Sequence, residues 1–88
     1  MTYRLQASAQ AQRQIEFDLP EKIAAAVLEF VHGPLLENPR RVGKQLFAPR
    51  HGQYSARRGQ YRVIYTIDQQ ASVVTVISVA HRRDAYRP

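Results

Sequence analysis

Arginines near the end of this chain set the chemistry it can offer. Arg57 and Arg58 precede Gly59, and Arg62 stands in Tyr61-Arg62-Val63 at the entry of an apolar run that continues to Ala80. His81, Arg82, Arg83, Tyr86 and Arg87 follow that run at once. Guanidinium groups keep their charge at every accessible pH and pair bidentately with phosphate. An apolar strand pair that delivers several of them and a late tyrosine to one edge suits a phosphodiester. Cleavage of such a linkage by the adjacent ribose 2′-hydroxyl needs a base, an acid and neutralisation of the oxyanion on phosphorus. Preorganised donors supply the last of these, and removing one from such a site costs about 2.7–4 kcal/mol. A tyrosine, with a reference pKa of about 10, is a poor base alone, but neighbouring guanidinium charge favours the phenolate. His81 is the rival base, because its ordinary pKa of about 6.5 suits neutral proton transfer. Against these readings, an arginine at a strand start is commonly a solvated edge charge, and a late tyrosine a packing ring.

Charge distribution points the same way. Residues 1–37 hold three basic against five acidic groups (net −2), whereas residues 38–88 hold ten against two (net +8). Eleven of the thirteen cations are arginine. An electropositive surface on one half of a small domain favours a polyanionic partner. The 88 residues read as a single domain, 1–88, and without cysteine neither disulfide nor thiolate metal site can staple it. His32 and His51 have no ligand spacing to a carboxylate, so no metal site and no cofactor are expected. No apolar run approaches the roughly 20 residues of a membrane span, and the expected location is cytoplasmic.

Several elements can be read from periodicity. Tyr3, Leu5 and Ala7 alternate with polar residues, as in a short first strand. Ser8 can cap a helix whose stripe is Ala11, Ile15 and Leu19. Pro20 breaks it and starts a second helix, with Ile23, Ala24, Val27, Leu28 and Val31 on one face and Leu35 and Leu36 adding a turn after Gly33-Pro34. Pro39 to Gly52 reads as a long basic loop carrying Arg40, Arg41, Lys44 and Arg50, punctuated by Pro39, Gly43, Pro49 and Gly52. Strands are expected over Gln53–Arg58, Tyr61–Ile67 and Val73–Ala80, with Gly59-Gln60 as the first turn. Val63, Tyr65 and Ile67 share one face. The resulting α+β fold is a strand, a helical hairpin and three strands, the hairpin covering one side of a mainly antiparallel four-stranded sheet. The other side stays partly open around Arg62.

The chain resembles the RelE/ParE toxin superfamily, and most closely actinobacterial RelE toxins. The resemblance rests on Tyr54 to Gly59, on Tyr61-Arg62-Val63-Ile64-Tyr65 and on Ile77 to Arg87, with Pro20 to Ala26 and Gly33 to Pro39 in support. It implies a microbial RNase-like fold and a metal-independent endoribonuclease that cuts mRNA in the ribosomal A site by 2′-hydroxyl attack. It also implies a RelB-like or Phd-like antitoxin, bound as a heterodimer or heterotetramer, with the 70S ribosome and mRNA as the other partners and no membrane. By position, Arg62 corresponds to the arginine that stabilises charge on phosphorus, Arg82 to the residue at the 5′-oxygen leaving group and Tyr86 to the base or orienter of the 2′-hydroxyl. Arg57 corresponds to a basic residue on the preceding strand. There the best-known members carry two basic residues at alternate positions, whereas this chain has Ser55 at one of them. His81, Arg83, Arg58, Lys44 and Arg87 are expected to contact substrate, mostly by charge. Tyr54, Tyr61 and Tyr65 divide between base stacking and core, and Phe30 and Phe47 between core and antitoxin contact. The alternative is a non-catalytic ParE-like toxin that inhibits DNA gyrase, which generally lacks the Arg62, Arg82 and Tyr86 set.

Overall fold

The computed structural model describes residues 2–84. The expected Tyr86 and Arg87 lie outside them. The elements are β1 (Arg4–Ala7), α1 (Ala9–Arg13) running into a π-helical turn over Gln14–Asp18, α2 (Glu21–His32), α3 (Pro34–Glu37), β2 (Lys44–Gln45), β3 (Gln53–Arg58), β4 (Tyr61–Asp68) and β5 (Val73–His81). One sheet takes all five strands in the order β1-β5-β4-β3-β2, with β1 parallel to β5 and the other pairs antiparallel. The sheet thus has one strand more than sequence periodicity shows. Two residues, Lys44 and Gln45, pair with Ser55 and Tyr54 and turn part of the basic loop into an edge strand. A two-residue strand has no alternation to detect.

The core lies between the helices and one sheet face. Val27, Phe30 and Val31 of α2, Leu35 and Leu36 of α3 and Ala11 of α1 pack against Ala56, Val63, Tyr65, Val74, Val76 and Val79. Phe30 is therefore core, whereas Leu28, expected on one face with Val27 and Val31, is 41% exposed. Among the described residues no helix is long and apolar enough to cross a membrane.

A β-bulge decides what the end of β5 presents. Val63 pairs with Val79 and Ile64 with Ser78, but Tyr65 pairs with Val76, which leaves Ile77 as an extra residue. Strict alternation would put Val74 and Val79 on opposite faces; the bulge brings Val74, Val76 and Val79 all to the helix side. Ala80 then falls on the open side, opposite Arg62. Beyond the end of β1 the edge of β5 is satisfied by side chains. Ser8 Oγ donates to the Ile77 carbonyl (2.5 Å) while accepting from Ala11 N–H (3.0 Å), and Gln14 Oε1 accepts from Val79 N–H (2.7 Å). The widened turn, closed by Leu19 N–H on the Gln14 carbonyl (3.0 Å), replaces the regular helix that the Ala11, Ile15 and Leu19 spacing predicts.

Ser8 thus caps α1 and ties down the bulge together. Ser8→Ala should lower folding stability by about 1–2 kcal/mol, the usual loss for a hydroxyl cap. A urea midpoint equal to that of the unaltered chain would remove this role.

Candidate phosphate-binding cleft and active site

β3 and β4 form a hairpin whose two-residue turn has Gly59 at φ 60°, a left-handed conformation in which a side chain is strained. Its register puts Arg57 directly opposite Arg62, and Ser55 opposite Ile64. Lys44 of β2 pairs with Ser55, so strand alternation sets Lys44, Ser55, Arg57 and Arg62 on one face, away from the helices. They open on a cleft of about 580 Å³, whose remaining wall is Arg41, Val42, Gly43, Gln45 and Leu46. Four of these lining residues are cations and none is a carboxylate.

Two guanidinium groups directly across a strand pair repel each other, at roughly 0.2–1 kcal/mol. Arg62 Nε is in addition buried with no hydrogen-bond partner, the only such side-chain atom among the described residues. A donor in that condition ordinarily costs about 1–3 kcal/mol. A bound anion would relieve both penalties, by accepting from Nε and by screening Arg57 from Arg62. Phosphate fits, because it presents several acceptor oxygens to a guanidinium fork.

The loop that forms the far wall is held by a buried tyrosine. Tyr65, 0% exposed, donates its hydroxyl to the Pro39 carbonyl (2.6 Å) and stacks on Tyr54 at 5.6 Å between ring centroids. Arg40, next along, is used up by Tyr54 Oη (2.9 Å) and Gln69 Oε1 (2.5 Å). Tyr65 is therefore a structural ring and does not stack bases. Burial pushes its phenol up to about 12, with the neighbouring Tyr54 adding to the rise. The protonated phenol is the form that the fold retains. Its contribution is complete below the unfolded value near 10 and is lost as pH rises towards 12. Unfolding followed between pH 9 and 12 should show that fall, and Tyr65→Phe should remove this part of it.

The remaining expected residues fall into separate places. Arg82 follows β5 directly and donates its backbone N–H to the Gln60 carbonyl (2.7 Å). It has the strand parity of Ala80, which sits opposite Arg62, but it does not line the cleft. Arg58 lies over the Phe30 ring, 3.5 Å from its centroid, on the helix side. His81 pairs with Tyr61, the two rings meeting edge to face at 5.4 Å, and its Nδ1 accepts from Arg83 N–H (3.2 Å). Neither Arg58 nor His81 lines the cleft. Arg41 and Gly43 do, though in the sequence nothing distinguishes Arg41 from its basic neighbours or Gly43 from loop punctuation. The only signal for them was the basic character of the loop as a whole.

Comparison with known proteins bears on this geometry. A sequence model of the ParE toxin of type II toxin–antitoxin systems matches residues 3–86. The chain belongs to that toxin family. The chain is also similar to toxins named RelE and RelG of Mycobacterium tuberculosis. The chain is 51% identical to Toxin RelE over 97% of its own length and 87% of that protein's, and 44% identical to Toxin RelG over 99% of each. Among solved structures it superposes on a chain of the M. tuberculosis toxin–antitoxin complex RelBE2 with a TM-score of 0.88 and 41% identity, covering 93% of this chain and 100% of that one. The fold is that of RelE toxins, with the cationic cleft on the sheet face that the helices leave open.

Proposed function

We propose that this toxin is an endoribonuclease that cuts mRNA on translating ribosomes, held inactive by a cognate antitoxin. The observation that supports this most is the Arg57–Arg62 pair: two opposed guanidinium groups, one with a buried and unpartnered Nε, open on a cleft with no carboxylate in its wall. The resident toxin of the superposed complex is found with an antitoxin, which supports the same kind of partner here.

In this reading a scissile phosphate enters the cleft and its non-bridging oxygens take hydrogen bonds from Arg62 and Arg57. The ribose 2′-oxygen attacks phosphorus, the bond to the 5′-oxygen breaks, and the products are a 2′,3′-cyclic phosphate and a 5′-hydroxyl. Arg62, with its buried Nε, and the more exposed Arg57 neutralise the charge that collects on phosphorus, and a fixed cation shielded from bulk water acts most strongly there. Arg82, tethered to the hairpin turn through its backbone, neutralises the leaving oxygen, which takes a proton from solvent to become the 5′-hydroxyl. The 2′-hydroxyl proton goes to Tyr86 as its phenolate, the form that neighbouring guanidinium charge favours. His81 is the poorer base, because its Nδ1 lone pair already accepts from Arg83 N–H. Lys44, Arg41, Arg83 and Arg87 attract the polyanion. In this reading these side chains, the 2′-hydroxyl and solvent water suffice, and the step calls on no metal.

The test is to express the protein with translating ribosomes and to map transcript ends by primer extension. New 5′ ends positioned by codon are the expected result. Intact transcripts accompanied by gyrase-linked DNA breaks would instead establish gyrase inhibition.

A further inference from the structure

Phe47 is 83% exposed, more than either of the other exposed large apolar residues, Phe17 (76%) and Leu28 (41%). Those two lie in the helical layer. Phe47 directly follows Leu46, the last residue of the cleft wall, so its Cα is about 3.8 Å from that of a lining residue. Its backbone is fixed. Leu46 N–H donates to the Gln53 carbonyl (2.8 Å), Arg50 N–H to that of Phe47 (2.9 Å) and Gln53 N–H to that of Arg50 (3.1 Å). The fold therefore holds a phenyl ring in water, in a tied turn, one residue along the chain from the wall of a cleft lined by four cations.

A flat apolar surface beside a cationic cleft matches the two halves of a nucleotide, an apolar base face and an anionic phosphate. A protein partner's anchor would sit within a wider apolar patch. No second large apolar side chain is exposed in this loop: Phe17 and Leu28 lie in the helical layer, and the exposed chain neighbours of Phe47 are the small Ala48 and Pro49 and the polar His51. We propose that Phe47 is the base-stacking contact of the cleft: with the scissile phosphate on Arg57 and Arg62, an unpaired nucleobase of the same strand lies on the Phe47 ring and sets where the strand is cut. The inference rests on the endoribonuclease reading of the cleft.

Stacking is sequence-tolerant and is worth about 5- to 150-fold in binding per base. Cleavage of mRNA on programmed 70S ribosomes is measured for the unaltered toxin and for Phe47→Leu, Phe47→Ala, Phe47→Trp and Arg62→Ala, with the thermal midpoint of each recorded. Leucine and alanine should raise KM about tenfold with kcat within about twofold and should blur the pattern of cut positions, while tryptophan keeps both. Because the ring is exposed, all three midpoints should stay near that of the unaltered chain. If Phe47→Leu cuts at the same sites with the same KM while Arg62→Ala is inactive, the stacking role is wrong and the cleft reading stands. If Arg62→Ala is also fully active, the cleft reading fails with it. Unchanged cleavage by Phe47→Ala together with weaker inhibition by the co-produced antitoxin would make Phe47 a protein contact and overturn the proposal.

Discussion

Arg62→Ala should lower the rate of ribosome-dependent cleavage by about 10²- to 10³-fold, the effect of deleting one preorganised donor from an oxyanion site. Its folding stability should stay level or rise slightly. Alanine removes a buried donor without an acceptor and ends the repulsion of the opposed Arg57, and these gains offset the apolar contacts of the lost side-chain stem. A residue kept only for structure would behave the other way. Arg62→Lys should recover a minor part of the rate, because an ammonium supplies charge but not the planar fork. Arg57→Ala should cost less than Arg62→Ala, since Arg57 is exposed and better screened. Cleavage by Arg62→Ala at the unaltered rate would show that the pair has no part in chemistry, and a stability loss of several kcal/mol would show that Arg62 supports the fold.

Gly43→Ala is expected to damage both fold and cleft. A Cβ there collides with the Tyr65 hydroxyl and comes within 2.9 Å of the Ser55 carbonyl and 3.0 Å of Tyr65 Cζ. Tyr65 has nowhere to go, being fully buried, stacked on Tyr54 and bonded to the Pro39 carbonyl. The segment that must yield is the one carrying Lys44 and Gln45, whose only strand neighbour is β3. Overpacking of this kind costs about 1–3 kcal/mol, or some 4–8 °C of midpoint per kcal/mol in a chain this size. Loosening of β2 moves the wall of the cleft, so cleavage should fall with stability. Adding Tyr65→Phe removes the nearest colliding atom and should restore part of the midpoint. A Gly43→Ala chain with the original midpoint and rate would mean that the loop has freedom that this packing denies.

Much of this could be read from residue order alone. Ser8, Pro20 and Gly33-Pro34 mark helix boundaries through local hydrogen bonding and the fixed φ of proline, and these boundaries lie where expected. The turn at Gly59-Gln60 and the strands on either side follow equally from nearest-neighbour chemistry. Strand alternation also sets Arg57 and Arg62 apart from Val63 and Tyr65, so an arginine-bearing face away from the core was legible before any coordinates. Leu28 is the exception: it fits the apolar stripe of α2, and only the shape of the sheet beneath decides that it stays exposed while Phe30 is covered.

Long-range contacts decided the rest. The Ile77 bulge depends on Ser8, 69 positions away in the chain, and on Gln14, and it determines which face the last residues of β5 present. The Pro39 loop is folded over Tyr65 by one buried hydroxyl 26 positions distant, which brings Arg41 and Lys44 to the cleft. Residue types and local spacing determined which cations this protein has and which strands carry them, because charge and alternation act over a few residues. Which of those cations converge on one anion, and which are spent on Phe30 or Tyr54, was settled only by packing, because that choice depends on groups brought together from opposite ends of the chain.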